Sequence, residues 1–161
     1  PEKVLSEANR RFPLSAEGEY FTLWVGQLHL PTGRLSYASA GHSGALVSSS
    51  QRAPQWLTRS SFPLGFDLSA QFVCAHVDLE PGHRLFLLSD GIYEVLSPSG
   101  ELWGRERFQD VIEQGKRASL SATITACFSR ARSWQQAQHF PDDAAIVGLE
   151  LTGGSEGTVN G

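Results

Sequence analysis

The sequence predicts an α+β domain, with antiparallel β-sheets and α-helices packed against them, on three observations. Short apolar runs of strand length fill residues 20 to 89, two amphipathic helical patterns follow, and a last strand-like run returns at Ala144 to Leu151. At 161 residues the chain has the size of one ordinary domain with a sizeable core.

Glu2 to Phe12 reads as an opening helix with Val4, Leu5 and Ala8 on one face. Tyr20 to Leu30 places Phe21, Leu23 and Val25 on one parity and Trp24, Leu28 and Leu30 on the other, the pattern of a strand covered on both faces. Pro31-Thr32-Gly33-Arg34 is a tight turn, after which Leu35 to Ala40 and Ala45 to Ser48 continue a meander of short antiparallel strands around Gly41-His42-Ser43-Gly44. Gln55 to Leu57 is a brief strand, and the proline and glycine of Phe62-Pro63-Leu64-Gly65 make that stretch a loop.

Gln71 to Leu79 alternates Phe72, Cys74 and His76 against Val73, Ala75 and Val77, then Glu80-Pro81-Gly82-His83 turns the chain into Arg84 to Ser89. This reads as the clearest hairpin of the chain. Arg105 to Gln114 carries Phe108, Val111 and Ile112 at helical spacing. A longer helix from Leu120 to about Gln136 carries Leu120, Ile124, Cys127, Phe128 and Ala131 as one stripe, with Ser119 as its cap. The last strand alternates Ala145, Val147, Leu149 and Leu151 against Ile146, Gly148 and Glu150. Residues 152–161, rich in glycine and small polar residues, read as a flexible tail after a domain over 1–151.

Apolar residues make up 40% and charged residues 19%, the balance of a chain that folds. With a net charge of −4 and its 13 basic residues scattered, the chain offers no basic stripe for nucleic acid. Cys74 and Cys127 are not in a CxxC pair and read as small buried thiols in a reducing, cytoplasmic setting. No apolar run approaches the roughly 18 residues of a membrane span, and no signal segment opens the chain.

Two acid signals stand out. Asp90-Gly91 closes the run Arg84 to Ser89, and Asp142-Asp143 opens the run that starts at Ala144. If these runs are antiparallel neighbours, the end of the first lies beside the start of the second and the acids share one rim. Such clustered carboxylates suit Mg²⁺ or Mn²⁺. Taken singly, Asp90-Gly91 reads as a turn and Asp142-Asp143 as a loop or strand-start acid pair rather than as ligands.

His42 is open to two readings, a hydrogen-bonded structural residue or a ligand or general acid. His29, His76, His83 and His139 have no partner spacing. Arg34, Arg52, Arg59, Arg105 and Arg107 are candidates for a phosphate contact among which the sequence does not choose. Trp24, Trp56, Trp103 and Trp134 do not cluster along the chain and read as core or edge packing.

The order of segments resembles the metal-dependent protein phosphatase family (PPM, or type 2C), in particular its bacterial SpoIIE and RsbU branch. The resemblance is carried by Tyr20-Phe21-Thr22, Thr32-Gly33, Leu35 to Ala38 and Ala40-Gly41-His42. It continues in Pro63-Leu64-Gly65, Leu79 to Gly82, Leu85 to Gly91 with Glu94, Gly100 with Trp103-Gly104, and Asp142 to Val147. It extends over Glu2 to Leu151. The chain departs from the pattern at His83, where an acid is usual, at Ser89, where threonine is usual, and at Ala144-Ala145. Nothing here resembles the family's "GD..D" strand or "DvsGHG" turn.

The resemblance implies an αββα sandwich, here in part, with Asp90 and Asp142 as ligands of a two-metal Mn²⁺ or Mg²⁺ centre and Asp143 as their neighbour. Such a centre activates a water and stabilises phosphoryl oxygens during in-line attack. Gly91, His42 and Glu94 fall at structural or substrate-side positions, Glu94 reading also as a solvated acid or a partner for an arginine. The implied activity is hydrolysis of phosphoserine or phosphothreonine on a regulatory protein such as an anti-sigma-factor antagonist. The alternative is a pseudophosphatase-type module that binds a partner without catalysis. Because the chain opens inside a helix at Pro1 and lacks the two upstream signatures, it is expected to be the C-terminal portion of such a domain, with an incomplete metal site. Unpaired sheet edges then make a homodimer a further expectation.

Overall fold

The computed structural model describes residues 1–59 and 61–153; of the expected tail, residues 154–161 lie outside the described residues. Helix α1 spans Glu2–Arg11, and strands β1 (Leu23–His29), β2 (Arg34–Ala40), β3 (Ala45–Ser48), β4 (Gln55–Leu57), β5 (Ala75–Asp78) and β6 (Arg84–Leu88) follow. A 3-10 turn over Asp90–Ile92 then leads to α2 (Gly104–Gln114), α3 (Leu120–Gln135) and β7 (Ile146–Glu150). The strands form two antiparallel sheets, ordered β1-β2-β5 and β4-β3-β6-β7.

Side-chain alternation along these strands builds three apolar cores and hence four layers. Ala38 and Ala40 of β2 face α1, where they meet Leu5, Leu64 and Phe72. The opposite face of β2, Leu35 and Tyr37, meets Ala45 and Val47 of β3 and Leu85 of β6 between the sheets. Beyond the second sheet, Leu46, Phe86 and Leu88 pack under Phe108, Val111 and Ile112 of α2 and Cys127 and Ala131 of α3. The order is therefore helix, sheet, sheet, helices, an αββα sandwich. Ser119 caps α3 as expected, its hydroxyl accepting from the Ala122 N–H at 3.2 Å.

Several expectations need correction. The hairpin of Gln71 to Leu79 with Arg84 to Ser89 does not form: β5 pairs with β2, whereas β6 lies between β3 and β7 in the other sheet. A four-residue turn spans roughly 13 Å, enough to cross the roughly 10 Å between facing sheets. Both strands put their apolar face into the same core, so their patterns match across it. Likewise β1 and β2 form a hairpin, but β3 is not its continuation. Gly41 (φ +64°) and Gly44 (φ +101°) turn the chain from one sheet into the other, in a backbone region that other residues seldom occupy.

Val4 is 54% exposed, because α1 turns Leu5 and Asn9 inward instead. The Asn9 amide anchors the loop between β4 and β5, donating to Asp67 O at 2.9 Å and accepting from the Gly65 N–H at 2.7 Å. Cys127 is buried, with burial pushing its thiol up to about 12, but Cys74 is only half-buried, ahead of β5. The tryptophans are less scattered in space than in sequence: Trp56 and Trp103 both pack on Phe108, with centroids 6.0 and 6.2 Å away.

Strand β1 is half-buried rather than covered on both faces, since it and β7 are sheet edges on the same side of the sandwich. Val147 and Leu149 pair beside Leu87 and Leu85 and so point toward the opposite sheet, yet they remain 55% and 45% exposed. An open cleft of about 520 Å³ separates these edges, lined by Trp24, Gly26, His42, Ser89, Ala145 and Val147.

Candidate metal centre

Strands β6 and β7 pair antiparallel from Arg84↔Glu150 to Leu88↔Ile146. The chain leaving β6 toward Asp90 therefore runs beside the chain entering β7 from Asp142-Asp143, and the two acid signals share one rim. Ser89 joins them: its hydroxyl donates to the Asp143 carbonyl at 2.7 Å and accepts from the Ala145 N–H at 2.9 Å. The Ser89 N–H also donates to the Ala145 carbonyl at 3.1 Å.

Gly91 is needed for close approach. A Cβ there would stand 2.5 Å from the Asp143 carbonyl oxygen and 2.9 Å from its carbon. Asp90 opens the 3-10 turn, its carbonyl accepting from the Tyr93 and Glu94 N–H groups, both at 2.9 Å. Asp142 Oδ1 accepts from the Asp143 N–H at 2.7 Å. The side chains of Asp90, Asp142 and Asp143 open to solvent, as does Glu94, which has no ion-pair partner among the described residues.

His42 stands on the β2–β3 crossing and lines the cleft with Ser89 and Ala145. Its Nδ1 accepts from the Gly44 N–H at 2.9 Å, which leaves the proton on Nε2, and its carbonyl accepts from the Ser39 hydroxyl at 3.0 Å. Burial lowers its pKa, and the negative charge of Asp90 offsets part of that shift. The ring is thus a neutral, hydrogen-bonded part of the crossing that lies near the acid rim.

The residues fit a hard divalent cation in kind, since carboxylate oxygens are its preferred donors. In number they do not: among the described residues no three His, Cys, Asp or Glu are grouped as metal ligands. A binuclear centre cannot be built from these groups alone. Sequence reasoning passed over Ser89, noting it only as a departure. Its signal is a small hydroxyl residue between an apolar run and an acid.

Two stacked antiparallel sheets enclosed by helices, with paired acid signals at one rim, define a PP2C-like phosphatase fold. The SiaA PP2C domain of Pseudomonas aeruginosa superimposes with a TM-score of 0.79 at 21% identity, over 94% of this chain and 61% of that one. The SpoIIE phosphatase domain of Bacillus subtilis, in its manganese-presoaked structure, gives 0.70 at 16% identity, over 96% and 67%. Protein IcfG of Synechocystis sp. is 27% identical over 93 residues, 58% of this chain and 15% of that protein. The family described as Stage II sporulation protein E (SpoIIE) matches residues 1–152, and the chain belongs to it. It spans about three fifths of the SiaA domain and a small part of IcfG.

Proposed function

We propose that this chain is part of a metal-dependent protein serine/threonine phosphatase domain of a bacterial signalling protein, acting in the cytoplasm on a phosphorylated regulatory partner such as an anti-sigma-factor antagonist. The observation that carries this reading is the β6–β7 pairing, which brings Asp90-Gly91 and Asp142-Asp143 to one rim. Asp90 and Asp142 would hold Mn²⁺ or Mg²⁺, with Asp143 beside them and Gly91 keeping the two segments in contact. The manganese-presoaked SpoIIE domain supports the choice of ion. Further protein ligands would come from segments like the "GD..D" strand and "DvsGHG" turn, which nothing in this chain resembles, with water filling the rest of the shell.

Expected consequences differ between this chain and a longer one. Alone, the 161-residue chain hydrolyses p-nitrophenyl phosphate negligibly with Mn²⁺, since an incomplete ligand set holds metal weakly. The longer protein that contains it hydrolyses a phosphoserine substrate with Mn²⁺. Robust hydrolysis by the short chain would overturn the claim of missing ligands. A longer protein that binds its partner without any hydrolysis would favour the pseudophosphatase reading.

A further inference from the structure

Arg59 and Arg105 line one polar cavity of about 280 Å³ with His42, Ser43, Thr58 and Ser61. The β2–β3 crossing, the segment after β4 and the first turn of α2 supply its walls. The Arg105 guanidinium lies over the Trp56 ring, 3.8 Å from its centroid, a contact that holds a cation in a fixed plane. Among the described residues no carboxylate lies within 4.0 Å of either guanidinium. Two unpaired cations on one cavity repel each other unless an anion sits between them. The start of α2, which has no side-chain cap, adds partial positive charge beside them.

This cavity adjoins the acid rim. His42 lines both it and the cleft beside Ser89. Burial raises the pKa of the Tyr93 phenol; a hydrogen bond from Ser43 and the charge of Arg105 pull it down, while Asp90 and Glu94 push it up. The charges of Arg105 and Asp90 thus act on the same phenol in opposite senses.

We infer that Arg59 and Arg105 form an anion subsite that takes a phosphate group next to the acid rim. The guanidinium fork matches phosphate oxygens, and the hydroxyls of Ser43, Thr58 and Ser61 add neutral donors. On the phosphatase reading, on which this assignment of the occupant rests, that phosphate is the phosphoryl group of the substrate or the phosphate released from it.

The test is a titration of the 161-residue chain with inorganic phosphate at constant ionic strength, followed by amide NMR. Saturable shifts are expected at Gly41 to Ser43, Thr58, Ser61 and Arg105. Arg59→Gln and Arg105→Gln should each weaken binding about tenfold, about 1.4 kcal/mol, with Arg10→Gln on α1 unchanged. If either glutamine variant misfolds, the lysine variant replaces it, keeping the charge without the fork and giving an intermediate affinity. Competition by O-phosphoserine assigns the occupant to substrate, and its failure to compete assigns it to product; both keep the subsite. Shifts that do not saturate, or that persist unchanged in both arginine variants, overturn it. Phosphate binding in a parent protein that hydrolyses nothing would remove the phosphatase reading and leave the subsite. Hydrolysis without phosphate binding here would do the reverse.

Discussion

Ser89 closes the acid rim with a single hydroxyl that both donates to Asp143 O and accepts from the Ala145 N–H. Ser89→Ala leaves that exposed carbonyl and N–H to water and should cost about 0.5–1.5 kcal/mol in urea unfolding, whereas Ser89→Thr should restore most of it. An alanine variant as stable as the original would show that the rim is held by the strand ladder alone. His42 carries a second residue-scale prediction. Its folded pKa lies below the unfolded value because burial disfavours the charged ring. The neutral ring's contribution to stability is complete above an unfolded pKa of about 6.5 and is lost as pH falls through the lower folded value. An NMR titration of the metal-free chain should place the His42 midpoint below the ordinary histidine value of about 6.5. A midpoint at or above it would contradict the buried, neutral ring.

Among the elements, β6 carries the most weight, because it is an inner strand whose two faces serve two cores. Phe86→Ala should cost about 3–5 kcal/mol, while Val147→Lys on the exposed face of β7 should change stability by no more than about 0.5 kcal/mol. Equal effects would mean that β7 is covered in solution. This scale also marks what the sequence could reveal. The neighbourhood of β6 and β7 was legible because an acid after one apolar run and an acid pair before another share a rim if the two runs are antiparallel neighbours. The α3 stripe was legible because helical spacing and a serine cap agree. The pairing of β5 was not legible, since period-two alternation reports which face is apolar and not which strand lies beside it. The acid rim was legible as two acid signals, but the cavity of Arg59 and Arg105 was not: its residues come from three separated segments, joined only by the crossing between the sheets.

For the whole molecule, the sandwich leaves β1 and β7 as edges on one side, with Leu30, Val147 and Leu149 exposed. Unpaired strands with apolar faces template pairing with another chain, so we expect the 161-residue chain to dimerise through these edges at high concentration. Sedimentation equilibrium checks this, and a monomer throughout would remove the homodimer. None of the described helices is long and apolar enough to cross a membrane. The central claim is that Asp90 and Asp142, brought together by β6 and β7, hold one metal centre of a phosphatase. It is tested most directly by measuring Mn²⁺ affinity and phosphoserine hydrolysis together in the longer protein that contains this chain, with Asp90→Asn and Asp142→Asn. Each variant should lose at least about tenfold in metal affinity, with hydrolysis falling in step. Unchanged Mn²⁺ affinity and hydrolysis in both variants would contradict it.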